Sequence, residues 1–373
     1  MDIEKIIIPD SLHIVVDDLG WFNGKDDREN DGPSRTGMPR RHCAEDYRAV
    51  NELGRRLNMK ISCAFVMGEW DFDNRLRNIP CLSRYGENWD NASYFDEREA
   101  VECVRAINES EYIDFNVHGL LHGNYRNPSD DHDISDFYYR VDGVLYMVEE
   151  SEVRARLDAF FDLVNCHGIK KRINSFVPPS FNYRADELSL ILADYGIRFV
   201  STIFSERMLG KSREEDTVIL ENGIVTLDRN NNLVPWDAYD YDPKNIPVSS
   251  GIFGIHWPNL LHLDPKRNIE VVDRWEKYFD KCADTFGIIL ARDISFAAAQ
   301  SLVKRYARVE STDNSIKIDL SDVPLLAGLD NSFAVSSRYE ITTACGAEIE
   351  PLDIKDGFIN YKVIPTDKIV KLA

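Results

Sequence analysis

Disulfide and thiolate chemistry are the first things this chain lacks. Its seven cysteines, Cys43, Cys63, Cys81, Cys103, Cys166, Cys282 and Cys345, are odd in number and form no C-x-x-C pair. That argues against a disulfide framework and against a thiolate zinc site. It leaves small buried side chains in a reducing compartment. No run reaches the ~20 apolar residues that a membrane helix needs. The start, Met1-Asp2-Ile3-Glu4-Lys5, has neither the basic region nor the apolar core of a secretory leader. The expected location is therefore cytoplasmic. Basic charge is short as well: 44 Lys and Arg face 64 Asp and Glu, a net charge of -20. That argues against general binding to nucleic acid or to anionic membranes and leaves room for a local basic pocket for a sugar nucleotide. There is no internal repeat and no low-complexity tract.

What is present is an ordinary apolar fraction of 43%, enough for a sizeable core. Strand-like runs alternate with helical spacing up to about residue 305. Strands are expected at 12–16, 60–66, 112–117, 173–177, 199–203 and 251–255. Helices are expected at 46–57, 97–108, 149–166 (capped by Ser151), 186–195 and 271–286. This alternation implies parallel strands with covering helices, as a barrel or an open sheet. From about residue 308 the texture changes to short strands at 315–320, 332–339, 348–354 and 358–363. A small antiparallel, sandwich-type domain is expected there, giving a division at 1–307 and 308–373.

The run Phe115-Asn116-Val117-His118-Gly119-Leu120-Leu121-His122 carries the most chemical information. Two histidines four apart share one face of a helical turn and can hold one metal ion. The pair follows a strand, where α/β folds build their sites. By itself it is equally the pattern of a helix cap and a surface histidine. Asp17-Asp18, at the end of another apolar run, adds carboxylate donors in the same predicted location. The polar stretch 20–41 follows directly and reads either as a loop over the site or as a solvated loop.

In order, Asp17-Asp18, His118-x-x-x-His122, the Pro-rich Ser175-Phe176-Val177-Pro178-Pro179-Ser180-Phe181-Asn182-Tyr183 and the late His256 resemble the NodB-type polysaccharide deacetylases of carbohydrate esterase family 4. The resemblance spans roughly residues 10–300. It implies an α/β fold, a distorted, incomplete (β/α)7-type barrel. It implies a divalent metal on Asp18, His118 and His122, with Asp17 as general base and His256 as general acid. Two histidines and one carboxylate suit Zn, and the same set serves Fe, Co, Ni or Mn. Pro179, Phe181, Tyr183, Trp257 and Asp237 are the expected substrate-binding residues. The alternative readings are a surface turn for Asp237 and a core histidine packed beside Trp257 for His256.

Val177 stands where the family has an arginine that orients the base. Arg184 or Arg198 is expected to replace it if the base is to work. The implied activity is removal of an N-acetyl or related acyl group from a sugar, sugar nucleotide or lipid-linked glycan during surface-polysaccharide assembly. Glycoside hydrolysis and a catalytically degenerate carbohydrate-binding barrel are the competing readings.

Overall fold

The structure, a computed structural model, describes residues 5–22, 38–126, 135–205, 217–230, 234–312 and 314–373. Most of the stretch 20–41 therefore lies outside the described residues. Seven parallel strands form the central layer: β1 (Asp10–Leu19), β2 (Ile61–Val66), β3 (Ile113–Gly119), β4 (Ser175–Phe176), β5 (Phe199–Thr202), β6 (Ile224–Asn230) and β7 (Gly251–His256). Each pairs with the next, and β7 pairs back onto β1, so the sheet closes into a barrel. The ring is uneven: β4 meets β3 through the single register pair Val117↔Phe176, and β6 meets β7 through two.

Alternation along the strands sorts the residues into two layers. Val15, Ala64, Val177, Phe199, Val225, Leu227 and Ile252 belong to one apolar cluster, the inner one. Leu12, Ile14, Val16, Cys63, Phe65 and Phe115 belong to another, the outer one, with the helices. The covering helices are α1 (Ala44–Leu57), α2 (Glu97–Glu109), α3 (Glu150–Cys166), α4 (Ala185–Asp194), α5 (Asn268–Ala283) and α6 (Ile294–Tyr306). Asp96 caps α2 by accepting the N–H groups of Arg98 and Glu99. The expected Ser151 cap of α3 is not formed. Glu149 holds that position without a side-chain bond, two residues earlier than the sequence suggested.

The hairpin Val218–Glu221 and β6 was not expected. Its turn is Asn222-Gly223, both at positive φ, the strongest short hairpin signal a sequence carries. Beyond α6, two four-stranded antiparallel sheets face each other. Phe333, Val335, Tyr361 and Val363 of one pack against Ile316, Ile318, Val370 and Leu372 of the other. The first of these sheets also takes in Ile6–Ile7 from the N-terminal end, with Ile6 opposite Ser337. No helix among the described residues is long and apolar enough to cross a membrane.

Candidate metal centre

The C-terminal ends of β1, β3, β6 and β7 converge on one cluster of ionisable side chains. Asp18, His118 and His122 bring one donor atom each to within 4.8 Å of one another, and all three are buried. Asp18 Oδ1 lies 3.3 Å from His118 Nε2 and 3.9 Å from His122 Nε2.

Two irregularities of the strands make this possible. Neighbouring residues of a regular strand point to opposite faces, so Asp17 and Asp18 would separate. The β1–β2 register shifts between Val16 and Leu19, and Asp18 adopts a left-handed backbone, φ +64. The bulge turns both carboxylates toward the same end of the barrel. The β2–β3 register shifts likewise, with Phe65 opposite Val117 and Val66 opposite Gly119, so His118 is the unpaired residue. The two histidines do not lie on a helical turn as expected. His118 belongs to β3, and His122 sits in a bend with φ +52.

The donor set fits a divalent ion. His118 Nδ1 donates to the Val177 carbonyl at 2.6 Å, which leaves Nε2 as the lone-pair nitrogen on the Asp18 side. Asp18 Oδ1 is buried and makes no hydrogen bond among the described residues, an acceptor aimed between two imidazoles. Burial would raise the Asp18 carboxyl pKa. The adjacent His118, then the charges of His122 and His256, hold it well below the usual carboxylate range. Burial disfavours the charged form of His118, yet Asp18, Asp17 and the Val177 carbonyl raise its pKa.

Asp17 stands beside this cluster on a different partner. Arg229 Nη1 lies 2.9 Å from Asp17 Oδ1 and 2.7 Å from Oδ2, and both side chains are buried. Phe181 covers the guanidinium, whose carbon is 5.0 Å from the ring centroid. Gly254 makes the room: a Cβ there would fall 2.0 Å from Arg229 Nε. The expected substitutes for the missing arginine are placed elsewhere. Arg184 pairs with Glu187 at the start of α4, and Arg198 precedes β5, at the far end of the barrel. Arg229 went unnoticed because the hairpin leading into β6 did. Its alternation with Val225 and Leu227 was the available signal.

His256, opposite Asp17 in the β7–β1 register, has Nε2 3.9 Å from both Asp17 Oδ2 and Asp18 Oδ2. Its pKa is lowered by burial, against which the two carboxylates pull upward. Its backbone N–H donates to Asn259 Oδ1 at 2.8 Å, and Asn259 Nδ2 donates to the carbonyls of Pro235 and Ala238. The turn bearing Trp236 and Asp237 is thereby tied to the His256 backbone. Asp237 itself is outside the metal cluster.

Three of the expected substrate-binding residues are buried. Tyr183 and Trp257 are fully buried, and Pro179 is buried. Trp257 stacks on His42 at 3.9 Å, and the Tyr183 ring sits 6.5 Å from that of Phe176. Their aromatic area is used to seat the helical layer on the barrel. Phe181 remains half-buried at the rim, over Arg229.

No protein-family model matches the chain, and no curated protein is similar enough to register. Solved structures similar in fold include a provisionally assigned polysaccharide deacetylase from Mycobacterium smegmatis, 12% identical with a TM-score of 0.42. That match covers 79% of this chain and 91% of the other. A CE4 family pseudoenzyme from Bacillus anthracis is 11% identical, TM-score 0.38, with 79% and 66% covered. A 4-alpha-glucanotransferase from Thermococcus litoralis is 13% identical, TM-score 0.40, and this chain covers 76% of itself but only 39% of that protein.

Proposed function

We propose that this protein is a metal-dependent hydrolase that removes an N-acetyl or related acyl group from a sugar. The observation that carries the reading is the Asp18–His118–His122 triad flanked by two proton-handling groups, Asp17 and His256, one of which belongs to a buried ion pair. A divalent ion held by the triad would supply the charge that acidifies water and polarises a carbonyl.

The chain's own residues divide the remaining work. The Val177 carbonyl fixes the His118 ring and its tautomer. Arg229 fixes the Asp17 carboxylate, which as general base takes a proton from the attacking water. The C–N bond of the amide breaks, and His256 delivers a proton to the departing amine. Burial, by lowering the His256 pKa, makes its protonated form a readier donor. His256 Nε2 stands 3.9 Å from Asp17 Oδ2, beyond direct hydrogen-bond reach, so a bridging water would have to carry to it the proton that Asp17 has taken.

Two observations weigh on the competing readings. Arg229 supplies the cation whose absence favoured a degenerate binding barrel. Asp17 and Asp18 are committed to an arginine and to two histidines, which does not suit two carboxylates flanking one glycosidic bond. The net charge of -20 weighs against an anionic polymer as substrate and leaves a sugar, sugar nucleotide or lipid-linked glycan as the proposed classes, the last two needing a local basic pocket.

The test is metal content by plasma mass spectrometry on untagged protein, with turnover of N-acetylated sugars measured alongside. The expected result is about one equivalent of a transition metal in the wild type, lost in Asp18→Ala and His118→Ala. Asp17→Asn should keep the metal and lose turnover. Activity that survives thorough chelation would support glycoside hydrolysis instead, and glycan binding unaffected by His118→Ala would support the binding barrel.

A further inference from the structure

Two histidines four apart normally meet because a helix brings positions i and i+4 onto one face. No helix connects His118 to His122. The chain leaves β3 at Gly119, bends through Leu120 and Leu121, and must return His122 toward Asp18. Something other than helical geometry has to hold that return.

Asp136 occupies the inside of the bend. It is fully buried. Its Oδ2 accepts the N–H groups of Leu120 at 3.0 Å and His122 at 3.3 Å, and its Oδ1 accepts the N–H of Leu121 at 3.0 Å. Three consecutive amides thus converge on one carboxylate, the arrangement of a backbone anion nest. Gly119 admits the carboxylate: its φ is +137, and a Cβ there would lie 2.0 Å from Asp136 Oδ2. The carbonyl side of the same turn is held separately. Met67 N–H donates to the Gly119 carbonyl at 3.0 Å, and Gly68 N–H to the Leu120 carbonyl at 2.7 Å. A Cβ at Gly68 would strike Leu121 at 2.0 Å, so that approach also needs glycine. The turn is gripped from both sides, with the side chains of Leu120 and Leu121 buried in the core.

On the metal reading above, we infer that Asp136 is a positioning residue for the metal centre. It replaces the missing helix as the element that places His122. Asp136 is not itself a ligand, because both its oxygens are engaged by backbone amides. It acts through the left-handed backbone of His122, φ +52, which the three hydrogen bonds hold in place. The third ligand is therefore set before an ion arrives, and the affinity of the centre depends on a carboxylate that never touches the ion.

Asp136→Asn is the direct probe. An amide offers one acceptor oxygen and turns an NH2 toward at least one backbone N–H. Gly119→Ala disturbs the same contact from the opposite side and carries the test should Asp136→Asn not fold. Cobalt(II) is titrated into metal-free wild type, both variants and His122→Ala. Visible absorption, affinity by chelator competition and thermal unfolding of the metal-free forms are recorded. The expected result is a dissociation constant raised about 10–100-fold in the two variants. Their cobalt spectra should move toward that of His122→Ala.

A purely structural role would lower the unfolding midpoint and leave the spectrum of bound cobalt as in wild type. That result, or unchanged affinity in a folded variant, overturns the inference while the metal centre stands. Wild type that binds no cobalt overturns the metal reading and the inference together.

Discussion

Arg229 and Asp17 form a buried ion pair across the barrel mouth, with one guanidinium nitrogen 2.7 and 2.9 Å from the two carboxylate oxygens. The partners come from β6 and β1, 212 positions apart in the chain. Of the Arg229 side-chain nitrogens, Nε and Nη2 are buried without a hydrogen-bond partner among the described residues. Phe181 closes over them and Gly254 lies beneath. The pair is thus confined to one geometry, as the base role proposed for Asp17 requires.

Replacing Arg229 by Met should leave the Asp17 charge buried and unpaired. Unfolding in urea should register a loss of about 3–5 kcal/mol, the usual consequence of breaking a buried pair from one side. Metal content should stay at the wild-type level, while turnover falls about 100-fold as the base drifts. Retained turnover would remove Asp17 from the base role.

Gly254→Ala should reproduce that loss without altering any charge. The new methyl would meet Arg229 Nε at 2.0 Å and Nη2 at 2.1 Å, so the guanidinium must leave its place. The double variant with Arg229→Met should be no worse than the more impaired single one, because both act on one contact. Additive losses in kcat would show that Gly254 serves some other purpose.

Chelation should destabilise the protein as well as silence it. An ion present at 100 times its dissociation constant contributes about 2.7 kcal/mol to the folded state. Thermal melts with and without EDTA should differ in the wild type and differ far less in His122→Ala, whose site keeps only two of the three ligands. Coincident melts in the wild type would count against a resident ion.

Acid should weaken the fold through His13, which lies inside the barrel with Nε2 2.9 Å from Ser62 Oγ. Burial lowers its pKa to about 4, with Asp293 pulling weakly the other way. Unfolded histidine takes a proton near pH ~6.5, whereas folded His13 takes one only near pH 4. Between those values the unfolded chain holds more protons, so stability falls as pH drops and is fully present above the window. The loss should reach about 3 kcal/mol. Chemical unfolding measured from pH 7 to pH 4 should show a shallower decline in His13→Gln. An equal slope in both proteins would place the acid sensitivity elsewhere, with buried His42, also lowered by burial, the next group to test.

The strand and helix alternation, the place of Asp17, Asp18, His118 and His256 at strand ends, and the change of texture near residue 308 were all legible in the residues. Each is a local property: periodicity, apolar runs, polar residues that end them. What escaped was non-local or irregular. Arg229 is meaningful only beside Asp17, and the alternation around it shows its face but not that partner. The bulges at Val16–Leu19 and at Phe65/Val66 are register events between two strands, invisible in either strand alone. The histidine pair was read as helical because its spacing is helical, whereas a buried carboxylate downstream imposes the same closeness on an irregular turn. Tyr183 and Trp257 were read as sugar-site residues, and their packing in the core between helices and strands is not legible from the sequence.

The pairing of Ile6 with Ser337, and of β1 with β7, dictates an order of assembly. A chain emerging from the ribosome presents Ile6–Ile7 and one edge of β1 long before their partner strands exist. Contacts of such separation form slowly, because the intervening loop must close first. The strand that carries Asp17 and Asp18 therefore has to wait for partners made far later in the chain. Until β7 arrives, the proposed base has neither His256 opposite nor the completed barrel wall beside it, so the proposed catalytic arrangement requires the barrel to be closed.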